Sequence, residues 1–207
     1  MAGDHLELGD EMTTIDLGNL RPRFRGELIT AADGARYDAA RTVFNAMFDR
    51  RPALIARPTG VADIISALAF TRELGLPLAV RGGGHSVAGY STLDDGVVID
   101  VGAMKGIRVQ PGEMRVRAQA GVTWGEFDRE TQAFGLATTG GRMTTTGLAG
   151  YTLGSGSGWM ERLHGLACDN LLSVDLVTAD GRLVTASPSE NPNLFWGLRG
   201  GGGNFGI

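Results

Sequence analysis

A run of three glycines, Gly82 to Gly84, follows the short apolar segment "PLAV" and leads directly into His85 and Ser86. Bare backbone at the end of a strand allows consecutive N–H groups to converge on one anion, such as a phosphate or pyrophosphate. The alternative is a tight surface loop that happens to precede a histidine. For an isolated motif that alternative is the simpler one, so the surrounding sequence has to decide between them.

The chain is unusually rich in glycine, with 33 among 207 residues, and the glycines are clustered. The clusters lie at 82–84, 140–158 and 197–206, between segments with regular apolar patterns. Such clusters are typical of loops in which the backbone takes a positive φ or approaches another group closely. The sequence therefore predicts several loops that either turn tightly or surround a ligand.

The first half of the chain has the pattern of a βαβ unit. A helix is predicted in the segment "ELITAADGARYDAARTVFNAMFDRRP", where it ends at Pro52, with its apolar residues at helical spacing: Tyr37, Val43, Phe44, Met47 and Phe48. The segment "ALIARP" indicates a strand, and a helix follows from Thr59 or Gly60 until Gly75 and Pro77 end it. The apolar face of this second helix comprises Ile64, Ile65, Leu68 and Ala69. The strand "PLAV" then places the three glycines at its carboxyl end.

The second half is predicted to contain mainly hairpins and helices. "GVVIDV" indicates another strand, and "IRVQPGEMRVRAQA" a hairpin that turns at Pro111 and Gly112. Thr123 and Glu126 have the spacing of a capping box. The helix that follows is expected to bury Trp124, Phe127 and Phe134 and to end at Gly135, and two further strands are joined by Asp180 and Gly181. The expected fold class is α+β, in two packed α/β subdomains.

Composition narrows the class of partner. The net charge of -4 and the pI near 5.4 argue against nucleic-acid binding, which needs an excess of clustered cations. The acidic N-terminus has no signal-peptide pattern, no apolar segment is long enough to span a membrane, and Cys168 has no partner for a disulfide. His5, His85 and His164 are far apart, so no metal site is expected. We expect a cytoplasmic protein without nucleic-acid or membrane partners.

Two shorter motifs are weak evidence for a function. "GSGSG" at 154–158 contains the nucleophile-elbow pattern of hydrolases, but no β-branched strand precedes it. Gly201, Gly203 and Gly206 match the dinucleotide fingerprint, which requires a strand before it and a helix after it. We interpret that match as accidental, and a nicotinamide-dependent dehydrogenase remains a weak alternative.

Four ordered segments together resemble a known family. They are "RRPALIARPTGVADIISAL", "AVRGGGHSVAGYSTLDDGVVIDVGAMKGIRV", "GRMTTTGLAGYTLGSGSGWMERLHGLACDNLLSVDLVTADG" and "NPNLFWGLRGGGGNFGI". Their sequence is similar to that of PCMH-type FAD-binding domains, the fold of p-cresol methylhydroxylase and vanillyl-alcohol oxidase, and specifically to berberine-bridge-enzyme-like oxidoreductases. The resemblance extends from about residue 27 to the end. It implies FAD-binding subdomains at 26–104 and 105–207, the second ending inside a family motif, with the substrate domain absent. Residues 1–25 are polar and weakly patterned, and we interpret them as an N-terminal arm.

The resemblance also implies which residues contact FAD. The backbone of the first motif would hold the pyrophosphate, which concerns Arg81, Gly82, Gly83, Gly84 and Ser86. A second segment would pass close to the pyrophosphate and the isoalloxazine ring, with Gly147, Gly150, Thr152, Gly154 and Gly158. Asp169, Asn170 and Val177 would flank the adenosine, Val177 through its backbone.

The same resemblance implies the chemistry. His85 is the candidate for a covalent bond to the flavin 8α-methyl, whereas Met143 stands where many relatives have a second, cysteinyl link. The expected function is FAD-dependent hydride removal from a small organic substrate, and the alternative is a truncated or stand-alone flavin-binding module without its own substrate site. No catalytic residue is assigned. A homodimer or another partner is expected to cover the open flavin face, because exposed apolar surface favours association.

Overall fold

The computed structural model describes residues 15–207, so residues 1–14 of the predicted arm lie outside the described part of the chain. A four-stranded sheet contains β1 (Glu27–Ile29), β2 (Leu54–Arg57), β3 (Leu78–Arg81) and β4 (Val97–Asp100) in the order β1-β2-β4-β3. Strands β2 and β3 are both parallel to β4, and β1 is antiparallel to β2.

Two helices belong to this sheet: α1 (Ala35–Arg41), between β1 and β2, and α2 (Val61–Glu73), which connects β2 to β3. The predicted βαβ unit is therefore confirmed, although β4 lies between its two strands. All four residues of β4 are buried, as expected for a central parallel strand with both faces covered. The loop that leaves β3 consequently starts at an edge of the sheet.

The first core packs α2 against the sheet. It includes Leu54 and Ala56 of β2, Val97 and Ile99 of β4, and buried residues of α2. Leu20 and Phe24, which lie in the segment interpreted as an arm, belong to the same core and are 0% and 7% exposed. Apolar burial of this kind contributes roughly 25 cal/mol per Å² to folding. Residues 15–25 are thus anchored on this core.

The remaining elements form two hairpins with helices around them. They are β5 (Ile107–Gln110), β6 (Arg115–Ala118), α3 (Trp124–Gln132), α4 (Leu148–Leu153), α5 (Glu161–His164), β7 (Val174–Val177), β8 (Leu183–Ala186) and α6 (Pro192–Leu198). Short 3₁₀ helices occur at Arg21–Arg23, Ala31–Asp33, Val101–Ala103, Pro111–Glu113 and Ala167–Asn170. Both hairpins turn where the sequence predicts, and both are antiparallel.

The capping box at the start of α3 is formed as predicted. The Glu126 carboxylate accepts hydrogen bonds from the backbone N–H and the hydroxyl of Thr123, each at 2.8 Å. Lys105 adds an ion pair to the same carboxylate at 2.7 Å. The pKa of Glu126 is lowered although burial acts to raise it, because these hydrogen bonds and the ammonium stabilise the charged form.

Two predictions about helices are wrong in part. The helix predicted in the segment from Glu27 to Pro52 is limited to Ala35–Arg41, and Phe44 and Met47 beyond it are 65% and 89% exposed. The backbone N–H of Phe44 instead donates to the carbonyl of Gly84, which pulls the chain out of helical register. Phe134, expected on the buried side of α3, is 47% exposed because α3 ends at Gln132 and the chain turns away.

Within residues 15–207, no helix is long and apolar enough to cross a membrane. The same range contains no group of three or more histidine, cysteine or acidic side chains arranged to hold a metal ion. Cys168 is buried.

Candidate functional site

The loop that follows β3 is supported by the buried side chain of an arginine. Arg81 is 4% exposed, and its guanidinium pairs with Asp100 at 3.0 Å and donates to the carbonyl of Ala40 at 2.6 Å. Its aliphatic stem lies under Gly84, whose φ of +69° is in the left-handed region that favours glycine. The Nη1 atom of Arg81 is buried and has no acceptor in the described part of the protein. Arg81 thus supports the loop through its side chain and leaves one donor unused.

The backbone of this first glycine loop (residues 82–86) presents donors that the protein itself does not use. Within residues 15–207, the N–H groups of residues 82 to 87 have no hydrogen-bond acceptor. The two carbonyls that do take part, those of Gly84 and Ser86, accept from Phe44 and Gly89. Consecutive unpaired N–H groups form a concave, positively polarised surface that suits an anion.

The second glycine segment (residues 140–158) lies directly on the first glycine loop. A Cβ added to Gly83 would come within 2.2 Å of the nitrogen and 2.7 Å of the Cα of Gly147, and one added to Gly147 would lie 2.4 Å from the nitrogen of Gly83. Side chains do not occur at such distances. The two backbones can therefore approach each other only because both residues are glycine, and this contact brings together two motifs that are 64 positions apart in their numbering.

The other predicted residues of the second glycine segment lie in the short helix α4 and in the turn after it. Gly150 faces open space, with no atom within 4 Å of the position that a Cβ would take, and Thr152 is 9% exposed. Gly154 is the C-cap of α4, and Gly158 packs against the carbonyl of Gly140. This stretch of backbone is thus uncovered at Gly150 and closely packed at its end.

The residues predicted to flank an adenosine are divided between two places. Asp169 forms an ion pair with Arg199 at 2.9 Å, and the amide of Asn170 donates to the carbonyls of His164 and Leu166. Their 3₁₀ helix is hydrogen-bonded to the second glycine segment, because the N–H groups of residues 167 and 168 donate to the carbonyls of residues 156 and 155.

Val177 lies apart from these residues. It is 1% exposed, and its backbone N–H and C=O both pair with Ile207, at 2.7 and 2.9 Å. Its side chain belongs to the first core, which also contains α2. The structure therefore brings Asp169 and Asn170 beside the second glycine segment, whereas the backbone of Val177, at the end of β7, is hydrogen-bonded to Ile207.

His85 is held on three sides. Its ring stacks on Phe44 with a centroid distance of 4.1 Å and an interplanar angle of 16°. The hydroxyl oxygen of Thr145 lies 3.0 Å from Nε2, and that of Thr146 lies 3.4 Å from Nδ1. Burial lowers the pKa of His85 below the ordinary histidine value, because desolvation disfavours the imidazolium. Burial thus favours the neutral imidazole, the form in which a ring nitrogen is nucleophilic.

Sequence reasoning does not identify Phe44, Thr145 and Thr146 as residues of this site. The spacing of Phe44 predicts a helix core, and the two threonines stand out only as part of "TTTG" before Gly147. The available signal is a run of β-hydroxyl residues directly before a glycine predicted to touch the cofactor. Nothing in the local pattern indicates that their partner is a histidine 60 residues earlier.

The polar aromatic residues of this region do not form an evident acid–base pair. The hydroxyl of Tyr151 donates to the carbonyls of Gly140 and Ser157, and burial raises its pKa. Tyr90 and Trp159 are each 81% exposed, and the guanidinium of Arg142 lies 4.7 Å from the Trp159 ring centroid. No catalytic residue is assigned from this geometry.

The arrangement fits a dinucleotide cofactor with an anionic centre. Unpaired N–H groups, two glycine backbones in direct contact and an uncovered stretch at Gly150 provide a surface that a pyrophosphate and a flat ring system can approach without collision. A neutral histidine stands next to that surface. These features are those expected of a domain that binds a dinucleotide cofactor.

Comparison with known proteins identifies the family. The model of the FAD binding domain family matches residues 52–187. The (R)-6-hydroxynicotine oxidase of Paenarthrobacter nicotinovorans is 37% identical over 183 residues, which is 88% of this chain and 40% of that protein. An FAD-linked oxidoreductase of Bacillus subtilis is 38% identical over 192 residues, covering 90% of this chain and 42% of that protein. The chain belongs to the FAD binding domain family.

Solved structures agree with this assignment. The 6-hydroxy-D-nicotine oxidase of Arthrobacter nicotinovorans superposes with a TM-score of 0.86 at 37% identity, covering 89% of this chain and 40% of that one. The BBE-like 1 protein of Physcomitrella patens gives a TM-score of 0.87 at 29% identity, covering 93% and 42%. The predicted fold and the predicted cofactor, FAD, are thereby confirmed. The chain spans about 40% of the length of these relatives.

Proposed function

We propose that this chain binds FAD and serves an oxidoreductase that removes hydride from a small organic substrate. The observation that carries the proposal is the row of unpaired N–H groups at residues 82 to 87, lying against Gly147 and followed by a neutral histidine. The relatives named above are an oxidase and an FAD-linked oxidoreductase. Bound FAD would supply the hydride acceptor, and the protein would hold the cofactor and exclude competing chemistry.

The test is the visible spectrum of the purified protein. We expect flavin absorbance that bleaches when an alcohol, sugar or amine substrate is added without oxygen and returns when air is admitted. Absorbance that no such compound bleaches would refute the oxidoreductase activity of this chain while leaving FAD binding intact. A protein that binds no FAD would refute the whole proposal.

We propose further that FAD is attached covalently through His85 and not through Met143. Within residues 15–207, the hydrogen-bond partners of the two ring nitrogens of His85 are hydroxyl groups, and the neutral form that burial favours has a lone pair for bond formation. A thioether cannot form the thiolate that a cysteinyl link requires. Acid precipitation should leave the yellow colour in the pellet, and His85→Ala should release it while FAD still binds before precipitation. Colour that stays with the pellet of His85→Ala would refute the assignment.

A flavin-binding module without its own substrate site is the second candidate. It is favoured by the aromatic groups near the two glycine motifs, since Tyr151 is tied to two carbonyls and Tyr90 points into solvent. Turnover by this chain should be compared with turnover by a longer form with further C-terminal sequence. Equal turnover would eliminate the module.

We also propose that a second copy of the chain or another protein covers the surface around the first glycine loop. We propose separately that the protein is located in the reducing cytoplasm. Apolar side chains are exposed around the first glycine loop, including Met47, Val87 and Tyr90 at 89%, 86% and 81%. Light scattering of the FAD-loaded protein should give more than the monomer mass. A strict monomer would refute covering by a second copy, and a clear signal-sequence-dependent export in cells would refute the location.

A further inference from the structure

The two threonine hydroxyls on His85 are not equivalent. Thr145 lies 3.0 Å from Nε2, within the normal range of N–H···O hydrogen bonds, whereas Thr146 lies 3.4 Å from Nδ1, beyond that range. A neutral imidazole has one N–H donor and one lone-pair acceptor. The nitrogen that forms a new bond must give up its present partner, and the longer contact is the one more easily lost.

The backbone around Thr145 is fixed independently of its hydroxyl. Its carbonyl oxygen would lie 3.1 Å from a Cβ on Gly83, so Thr145 packs directly against the first glycine loop. On the other side of the ring, the N–H of Phe44 donates to the carbonyl of Gly84, the residue before His85, and thereby holds the stacked phenyl ring in place. The segment that carries Phe44 and the second glycine segment are therefore both in contact with the first glycine loop, one on each side of the His85 ring.

We propose that Thr145 is a positioning residue for the covalent attachment of FAD: its hydroxyl accepts the Nε2 proton of His85 in a hydrogen bond and leaves the Nδ1 lone pair free to form the bond. This inference rests on the covalent link proposed above. It assigns no contact between Thr145 and the flavin. Thr145 acts through His85 alone.

The attachment balances with dioxygen as the oxidant. The Nε2–H bond of His85 and one C–H bond of the 8α-methyl are broken, an Nδ1–C bond is formed, and the two electrons and two protons reduce dioxygen to hydrogen peroxide. As the Nε2 proton leaves, the Thr145 hydroxyl changes from acceptor to donor and keeps its hydrogen bond to the ring. A serine or threonine hydroxyl can make that change because it has both a proton and lone pairs.

The experiment compares the wild-type chain with Thr145→Val, Thr145→Ser and Thr146→Val. Each apoprotein is mixed with FAD in air, and the covalent fraction is followed by intact-mass spectrometry and by flavin fluorescence after denaturing electrophoresis. Thr145→Val should slow attachment about 10-fold, the upper end of the effect expected when one hydrogen bond of an exposed threonine is removed. Thr145→Ser should restore the rate to within about threefold of the wild type, and Thr146→Val should have the smaller effect of the two valine variants.

A second measurement does not depend on attached flavin. The chain has only three histidines, so ¹⁵N-labelled histidine gives a simple NMR spectrum in which His85→Ala identifies the His85 signals. We expect the apoprotein to hold His85 with its proton on Nε2, and Thr145→Val to mix the two tautomers. A merely structural role of Thr145 would change the melting temperature or the reversible FAD affinity, not the tautomer.

The outcomes separate this inference from the proposal on which it rests. Wild-type protein that binds FAD only reversibly would overturn the covalent link and this role together, leaving FAD binding in place. Wild-type protein that becomes covalently labelled while Thr145→Val is labelled equally fast, or an apoprotein with the proton on Nδ1, would overturn the role of Thr145 alone. If Thr145→Val fails to fold, the ratio of rates between Thr145→Ser and the wild type and the wild-type tautomer still decide.

Discussion

Replacing Gly83 by alanine tests whether the contact between the two glycine motifs forms the FAD site. The new Cβ would lie 2.2 Å from the nitrogen of Gly147, and both nearest atoms are backbone that cannot rotate away. Restoring an ordinary separation of 3.4 Å requires the two backbones to part by about 1.2 Å. Gly83→Ala should therefore destabilise the protein by about 1–3 kcal/mol, as other overpacked sites do.

The same displacement should also weaken FAD binding. N–H groups that converge on an anion lose their geometry when one side of the site moves, and each hydrogen bond to a charged group contributes about 1.5–3 kcal/mol. We expect reversible FAD binding to weaken about 10- to 100-fold. The melting temperature should fall by roughly 2–12 °C for a chain of this size. Quenching of FAD fluorescence and thermal unfolding measure the two effects.

The matched control is Gly112→Ala in the turn between β5 and β6. No atom lies within 4 Å of the Cβ position there, and the residue is not in the left-handed region. This variant should change the free energy of unfolding by no more than about 0.5 kcal/mol and leave FAD affinity unchanged. If Gly83→Ala binds FAD as tightly as Gly112→Ala, the contact with Gly147 is not part of the binding site and the reasoning is wrong.

Three further variants test the supports of the fold and the site. Asp100→Ala leaves the buried Arg81 guanidinium uncompensated and should lower the free energy of unfolding in urea by about 3–5 kcal/mol; a loss below about 1 kcal/mol would contradict this. Burial lowers the pKa of His85, so as the pH falls the unfolded chain binds a proton at this histidine before the folded protein does. The stability of the apoprotein should therefore fall as the pH drops through about 6.5, and less steeply in His85→Gln. Burial acts to raise the pKa of Asp63, but hydrogen bonds from the backbone of Arg25 and Thr59 lower it overall. The stability that the Asp63 carboxylate provides should therefore be lost below about pH 4. Asp63→Asn should lack this acid step in its unfolding curves.

The parts of the fold that follow from the sequence are those decided by neighbours in the chain. The capping box of Thr123 and Glu126 needs residues three positions apart, and the turn at Pro111 and Gly112 needs only its own φ preferences. The sequence also predicts the first glycine loop, because its glycines directly follow a strand. In each case the determining interaction is local, so one sequence is enough to predict it.

What the sequence does not predict depends on distant partners. Phe44 has the spacing of a helix residue, yet a hydrogen bond to Gly84 forty residues later takes it out of the helix. The hydroxyls on His85 come from a segment 60 residues away, and the contact of Gly83 with Gly147 spans a similar distance. Periodicity and propensity contain no information about which of several glycine-rich segments will meet.

The position of β4 between β2 and β3 has a consequence for the order of events during synthesis. In the folded sheet, β2 and β3 each pair with β4 and not with each other, so the two strands cannot take their native pairing before residues 97–100 have been synthesised. The sheet is complete only when β4 (Val97–Asp100) has been added between β2 and β3. The pairing of β4 with β2 joins residues that are far apart in the sequence, and such non-local pairing slows folding. Until then two apolar strand edges are open, which makes a translational pause before residue 97 a point of particular exposure to aggregation and chaperone capture.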